Sequence, residues 1–386
     1  MKEFILCLPF LLAFTNCTKV PTWQNKTSEV LEQQIMEDAE WAMQQSPETI
    51  TSKSCERSEG GINDFYSEGD YWWPNPDDPD GPYIRRDGET NPENFVDHRL
   101  LMIRFSKIVG SLGSAYIHTN DEKYATKAFE HVRAWFVNPK TLMNPNLLYA
   151  QAIKGIVSGR GIGIIDTIHL MEVAQGIKRM QQASSVDKQE LEVIKQWFND
   201  YITWLTTHPY GIKEMEAKNN HGTCWVMQVA SFASLTENEK VLTMCRERYK
   251  TVLLPNQMGE DGSFPLEMSR TKPYGYALFN LDAMSTVCQI LSTEKDNLWA
   301  YTSDAGLSIK DGVEFMFPYI QDKSKWPYQQ DVMYWDEWPV AQPSLLFAAV
   351  NYDEPSYFQL WESLKHKFDV QEVERNMPIR NPLIWL

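Results

Sequence analysis

The sequence predicts an all-α protein: an α/α toroid, an incomplete barrel of helical hairpins with long loops lining a cleft. Apolar residues recur at helical intervals along most of the chain. Strand-like alternation is scarce, and neither a βαβ rhythm nor a phosphate-binding glycine loop occurs. Helices of about 15–20 residues joined by loops bearing Pro and Gly favour stacked hairpins. A ring of such hairpins would use most of the 386 residues, so one domain is expected over 18–386.

The first 17 residues read as a signal peptide. Lys2 precedes an apolar run from Phe4 to Phe14 that is too short to span a bilayer as a helix. Cys17 directly follows the run, where a lipoprotein carries its lipidated cysteine. Export is therefore expected, to the periplasm or as an outer-membrane lipoprotein of a Gram-negative bacterium, with a possible lipid anchor at Cys17. No other apolar run approaches about 18 residues, so no further membrane span is expected.

Helical spacing then covers 28–44, 99–117, 121–136 and 163–182. Leu191, Ile194, Phe198, Ile202 and Leu205 mark the next helix, with Lys195, Gln196, Asn199 and Asp200 between them. Further helices are expected at 222–235, 238–252, 276–292, 297–317, 341–349 and 355–367. Two long loops interrupt this series. Gly60 to about Asn94 holds Tyr71, Trp72, Trp73, Arg85 and Arg86. A loop of that length is usually functional or disordered, and so many aromatics argue for a lid or cleft wall. There Trp72, Trp73 and Arg85 are candidate substrate-binding residues. Gln321 to Pro339 holds Trp326, Tyr328, Tyr334, Trp335 and Trp338, which either latch the loop onto the helices or stack on sugar rings.

Composition narrows the partner. Thirty-six Lys and Arg against 52 Asp and Glu leave a net charge of −16, which excludes nucleic acid as a main partner. An acidic small or polymeric substrate stays open, because a few Arg in a cleft can outvote a distant negative surface. Cys55, Cys224, Cys245 and Cys288 form no C-x-x-C pair, and the last three sit in apolar helical surroundings that suit buried thiols. The histidines show no H-x-x-x-H or H-E-x-x-H spacing, so no metal or other cofactor is expected.

Two helix starts carry the chemistry. Lys218-Asn219-Asn220-His221-Gly222 leads into one, and Arg270-Thr271-Lys272-Pro273-Tyr274-Gly275-Tyr276 into another. Each alone is weak; Asn at a helix start is often a cap. Together, Asn, His, Arg and Tyr form the set that β-elimination on a uronate requires. The C5 proton is very weakly acidic beside an ionised carboxylate. Hydrogen bonds from Asn, His or Arg neutralise that carboxylate as charge develops. A base takes the proton and an acid protonates the departing O4. In mannuronate and glucuronate the C5 proton and O4 share one ring side, so a single Tyr can serve both roles. In guluronate they lie on opposite faces, and a His base opposite a Tyr acid is needed.

The pair Asn220-His221 and Arg270 with Tyr276-Ala277-Leu278 resemble the alginate lyase superfamily. Asn144-Pro145-Asn146-Leu147, Gln151 and Gly159-Arg160-Gly161 are similar to its earlier blocks, and Tyr71-Trp72-Trp73-Pro74-Asn75-Pro76 resembles a loop of polysaccharide lyase family 38. Family 5 is a more distant likeness. The resemblance spans roughly 35–350. It implies an α/α toroid that cleaves alginate, especially polymannuronate, or glucuronan without a metal. It further implies that Asn220 neutralises the carboxylate with help from Arg270, while His221 and Tyr276 act as base and acid. Asn146, Gln151, Arg160 and Asn219 would bind substrate, and Tyr274 competes with Tyr276. The glycines beside Arg160 let backbone approach a ligand closely.

Two rivals remain at this level. A glycoside hydrolase needs two carboxyl groups, which Asp331, Asp336 and Glu337 could furnish. A non-catalytic sugar-binding lipoprotein would also be exported, helical and rich in Trp, but has no need of the Asn, His, Arg and Tyr set.

Overall fold

A helix apolar on nearly every side must be enclosed, while one with a single apolar stripe can face water. That difference sorts the helices in the computed structural model, which describes residues 22–386. The signal peptide and Cys17 lie outside the described residues. Five largely enclosed helices form an inner layer: Asp97–Thr119, Leu170–Met180, Asn220–Leu235, Pro273–Leu291 and Pro343–Tyr352. Each packs on the next in that order. Gly113 and Gly176 permit the first of these contacts; a Cβ at Gly176 would lie 2.9 Å from Val109 Cγ1.

Outer helices cover this layer. Trp23–Met43 and Glu122–Phe136 lie on the first inner helix, and Lys188–Thr207 packs on Glu122–Phe136 and Asn220–Leu235. Ile309–Gln321 and Pro355–Ser363 cover the last. In Lys188–Thr207 the expected stripe of Leu191, Ile194, Phe198, Ile202 and Leu205 is buried, while Glu192, Gln196 and Asp200 face water. This is the α/α toroid arrangement, inner and outer helices paired in hairpins. The C-terminal segment crosses back over the first two inner helices. There Arg380 N and Asn381 N donate to Glu172 Oε1 at 2.9 and 2.6 Å, and Arg179 Nε donates to the Ile384 carbonyl at 2.7 Å.

The structure departs from the sequence reading in four places. Residues 163–182 are not one helix but a 3₁₀ segment, Gly161–Thr167, followed by Leu170–Met180. Residues 297–308 are turns, and the helix starts only at Ile309, where Ser308 and Asp311 form a capping box. The loop after Gly60 is partly ordered as strands: Tyr66–Glu68 pairs with Tyr149–Ala152, and Trp72–Trp73 pairs with Ile84–Arg85. Finally, Asp97–Thr119 is long and apolar enough to cross a bilayer, but 72% of its most apolar window is buried by other helices.

The second loop is a latch. Trp326 and Trp335 pack edge-on to Tyr274 at 5.0 and 5.4 Å, and Lys323 Nζ donates to the carbonyls of Trp335 and Trp338. Cys224, Cys245 and Cys288 are buried free thiols.

Candidate active site

Two neighbouring inner helices begin at the same cleft. Asn220 and His221 open one, and Tyr276 lies in the first turn of the other. Helix N-termini carry positive potential, which favours an anionic ligand between them. The cleft has a cavity volume of about 150 Å³ and opens to solvent. Asn220, His221, Arg270 and Tyr276 all line it, as do Trp72, Arg85, Gln151 and Arg160.

Each of the four central residues has a dedicated partner. Glu267 accepts from Asn220 N and Asn220 Nδ2, both at 2.6 Å. This fixes the amide and leaves its second N–H for a ligand. Burial pushes the Glu267 carboxyl up, against the Asn220 hydrogen bonds and the Arg270 charge. His221 Nδ1 bonds Glu214 Oε1 at 2.6 Å. Arg270 donates to Asp87 at 3.2 and 3.4 Å, and its guanidinium lies 4.2 Å from the centre of the Tyr276 ring. Tyr276 shares a 3.0 Å hydrogen bond with the Tyr71 hydroxyl. Burial and the Tyr71 neighbour push the Tyr276 hydroxyl above the ordinary phenol range, with Arg270 opposing. The hydroxyl is therefore in its neutral, protonated form, as a proton donor must be.

Beneath the cleft runs a buried polar network. Gln151 sits at φ 49°, a left-handed conformation uncommon outside glycine. From there its backbone carbonyl and Oε1 accept from Arg160 at 2.9 and 3.0 Å, while Nε2 donates to Asp166 at 3.0 Å. Asp166 also accepts from Ser67 and Arg99, Arg99 grips Asp70, and Asp70 meets Arg375 at 3.0 Å. Arg375 bonds Glu372, which bonds Lys272 at 2.6 Å. Burial opposes ionisation of Asp70, but Arg375 and Arg99 overcome it and hold its carboxyl below the usual range.

Four predicted residues fall elsewhere. Tyr274 is fully buried and its hydroxyl donates to the Tyr319 carbonyl, so it is a core residue and no rival to Tyr276. Trp73, one position beyond Trp72, has its ring under Arg86 and its Nε1 on the Glu89 carbonyl, because successive strand residues point oppositely. Asn146 closes a turn with Leu148 N and does not line the cleft. Asn219 precedes the helix, with its carbonyl held by Gln257. The glycines beside Arg160 serve packing rather than ligand approach: a Cβ at Gly159 would lie 1.9 Å from the Leu148 carbonyl, and one at Gly161 2.7 Å from that of Tyr210.

Other lining residues were not among the named candidates, although Tyr71 belongs to the loop expected to form a cleft wall. Asp70, Tyr71, Ile162, Ile165, Phe279, Arg375 and Asn376 complete the wall. Arg85, Arg160, Arg270 and Arg375 line the cleft; Asp87 pairs with Arg85 and Arg270, and Asp70 and Glu372 pair with Arg375. Arginine is thus concentrated at this cleft on a chain whose net charge is −16. Among the described residues no group of three or more His, Cys, Asp or Glu is arranged to hold a metal. The hydrolase alternative loses its acids: Asp331 caps the Pro273–Leu291 helix through Tyr274 N and Gly275 N at 2.9 Å, and neither Asp336 nor Glu337 lines the cleft.

Comparison with known proteins gives a consistent picture. The Alginate lyase family model matches residues 49–326. The chain is similar to the crystal structure of an alginate lyase from Bacteroides ovatus: 32% identity, 93% of this chain and 97% of that one covered, TM-score 0.80. Alginate lyase A1-III from Sphingomonas species A1 shares the fold at 18% identity, with 82% and 85% covered and a TM-score of 0.53. A histidine-to-alanine variant of A1-III complexed with a tetrasaccharide gives 16% identity, 86% and 89% covered and a TM-score of 0.58. A search of curated proteins finds no match.

Proposed function

The chain belongs to the alginate lyase family, and from that premise we propose that it cleaves 1,4-linked uronic-acid polymers by β-elimination at this cleft. The product carries a C4=C5 double bond at its new non-reducing end. The observation that carries the proposal is the lining itself: four guanidinium groups around Asn220, His221 and Tyr276, with no free carboxylate among them.

The geometry suits each step. A uronate carboxylate seated between the two helix starts receives the free N–H of Asn220 and the charge of Arg270. Negative charge can then flow onto it as the C5 proton leaves. Tyr276, buried and neutral, protonates O4 as the C4–O bond breaks. His221 takes the C5 proton. Trp72, lying 5.8 Å from the Arg160 guanidinium, offers a sugar-stacking wall beside Gln151 and Arg85. Alginate rich in mannuronate, or glucuronan, is the preferred substrate in this reading. Export to the periplasm or as a lipoprotein belongs to the same proposal.

The test is to incubate the protein with polymannuronate, polyguluronate, glucuronan and a neutral glucan, and to follow ultraviolet absorbance of the new double bond. Absorbance rising only on the uronate polymers is expected. Strong activity confined to polyguluronate would overturn the stated preference, and cleavage without absorbance would reinstate a hydrolase.

Asn220→Ala checks the carboxylate role. Because its hydrogen bond strengthens as charge develops, turnover should fall about 10²-fold while oligosaccharide affinity changes only a few-fold. Equal losses in both would reduce Asn220 to holding the substrate in place.

A further inference from the structure

Glu214 stands behind His221 and does not line the cleft. Its side chain is 4% exposed against 15% for the imidazole. It sits on the short Pro209–Met215 helix, which packs against both Asn220–Leu235 and Gly161–Thr167. The turn that follows is seated tightly on the next helix start: a Cβ at Gly222 would lie 2.2 Å from the Ala217 carbonyl. Glu214 is therefore held under His221 by backbone on both sides, and the 2.6 Å contact to Nδ1 is built in.

An ionised carboxylate only accepts hydrogen bonds, so the His221 Nδ1 must carry the proton. In the neutral ring the lone pair is then on Nε2. We propose that Glu214 is a positioning residue whose carboxylate fixes His221 in the Nδ1–H form and presents Nε2 to the bound uronate as the base. This rests on the lyase reading above and deepens it. The C5–H bond breaks and its proton goes to Nε2; the electron pair forms the C4=C5 bond. The C4–O bond breaks in turn, and the departing O4 takes the Tyr276 proton. Glu214 stabilises the imidazolium so formed and never meets the substrate.

Nitrogen-15 NMR of labelled histidine tests the pair directly, with His221→Gln identifying the His221 signals. The substrate-free protein should show His221 protonated at Nδ1 with a free Nε2. Glu214→Gln, which can donate as well as accept, should lose that single form. On whichever uronate polymer the wild type cleaves, its kcat should fall about 10–100-fold, the scale of losing a carboxylate that orients a functional histidine. KM should stay within about threefold, because Nε2 acts only as the proton moves. Glu214→Asp retains the charge and should recover the Nδ1–H signature. A wild-type ring protonated at Nε2, or a Glu214→Gln kcat equal to wild type, overturns the proposal. If Glu214→Gln does not fold, the wild-type and Glu214→Asp spectra decide. Should no uronate polymer be cleaved at all, the lyase reading fails, while the spectrum still judges the Glu214–His221 pair.

Discussion

Tyr276→Phe is expected to lower β-elimination by at least about 10²-fold, the usual scale for a lost general acid, while fold and oligosaccharide binding persist. The ring is 9% exposed and packed under the Arg270 guanidinium at 4.2 Å, and Phe reproduces that packing. Only the hydroxyl goes, and with it the bond to Tyr71. Burial holds that hydroxyl neutral, so it arrives with the proton that O4 needs. Steady-state ultraviolet kinetics, with calorimetric titration of an oligosaccharide, separate turnover from binding. Near-normal turnover would remove Tyr276 from the mechanism. Suspicion would pass to Tyr71, because the Tyr274 hydroxyl is spent on the Tyr319 carbonyl inside the core.

What the sequence revealed was local. Helical periodicity located most of the helices, while their sorting into inner and outer came from the fold, where enclosure demands apolar residues on every side and a single stripe does not. Asn220-His221 and Arg270 with Tyr276 were readable because each set occupies one helix start. Their partners were not. Asp87 reaches Arg270 across 183 residues, and Glu267 reaches Asn220 across 47. Arg375 lies in Gln-Glu-Val-Glu-Arg-Asn, which reads as an ordinary solvated helix; nothing in it announces a guanidinium turned into the cleft against Asp70. Glu214, seven residues before His221, was the nearest missed partner. A buried acid on a short helix beside a candidate histidine is a signal that could have been followed. Tyr274 and Trp73 were misread for one geometric reason. Adjacent or alternate positions near a functional side chain face different ways, and periodicity settles the direction only when the element is known.

Arg99→Ala is expected to destabilise the protein by about 3–5 kcal/mol, the cost of stranding a buried charge. Arg99 is 5% exposed on the side chain and bonds Asp70 at 2.6 and 2.9 Å, with Asp166 at 3.4 Å. Without it Asp70 keeps only Arg375, and Asp166 keeps only Ser67 and Gln151. Urea unfolding followed by tryptophan fluorescence should show a lower midpoint at unchanged slope. The pH dependence has a definite sign. Asp70 is held below the ordinary carboxylate range, so its contribution is complete above its unfolded value of about 3.9 and fades as pH falls below that. The gap between wild type and Arg99→Ala should therefore be widest near neutrality and narrow in acid. Adding Asp70→Asn to Arg99→Ala removes part of the stranded charge and should recover some of the loss, a coupling that separate sites would not show. A midpoint shift worth less than about 1 kcal/mol would mean the network is not the support it looks to be.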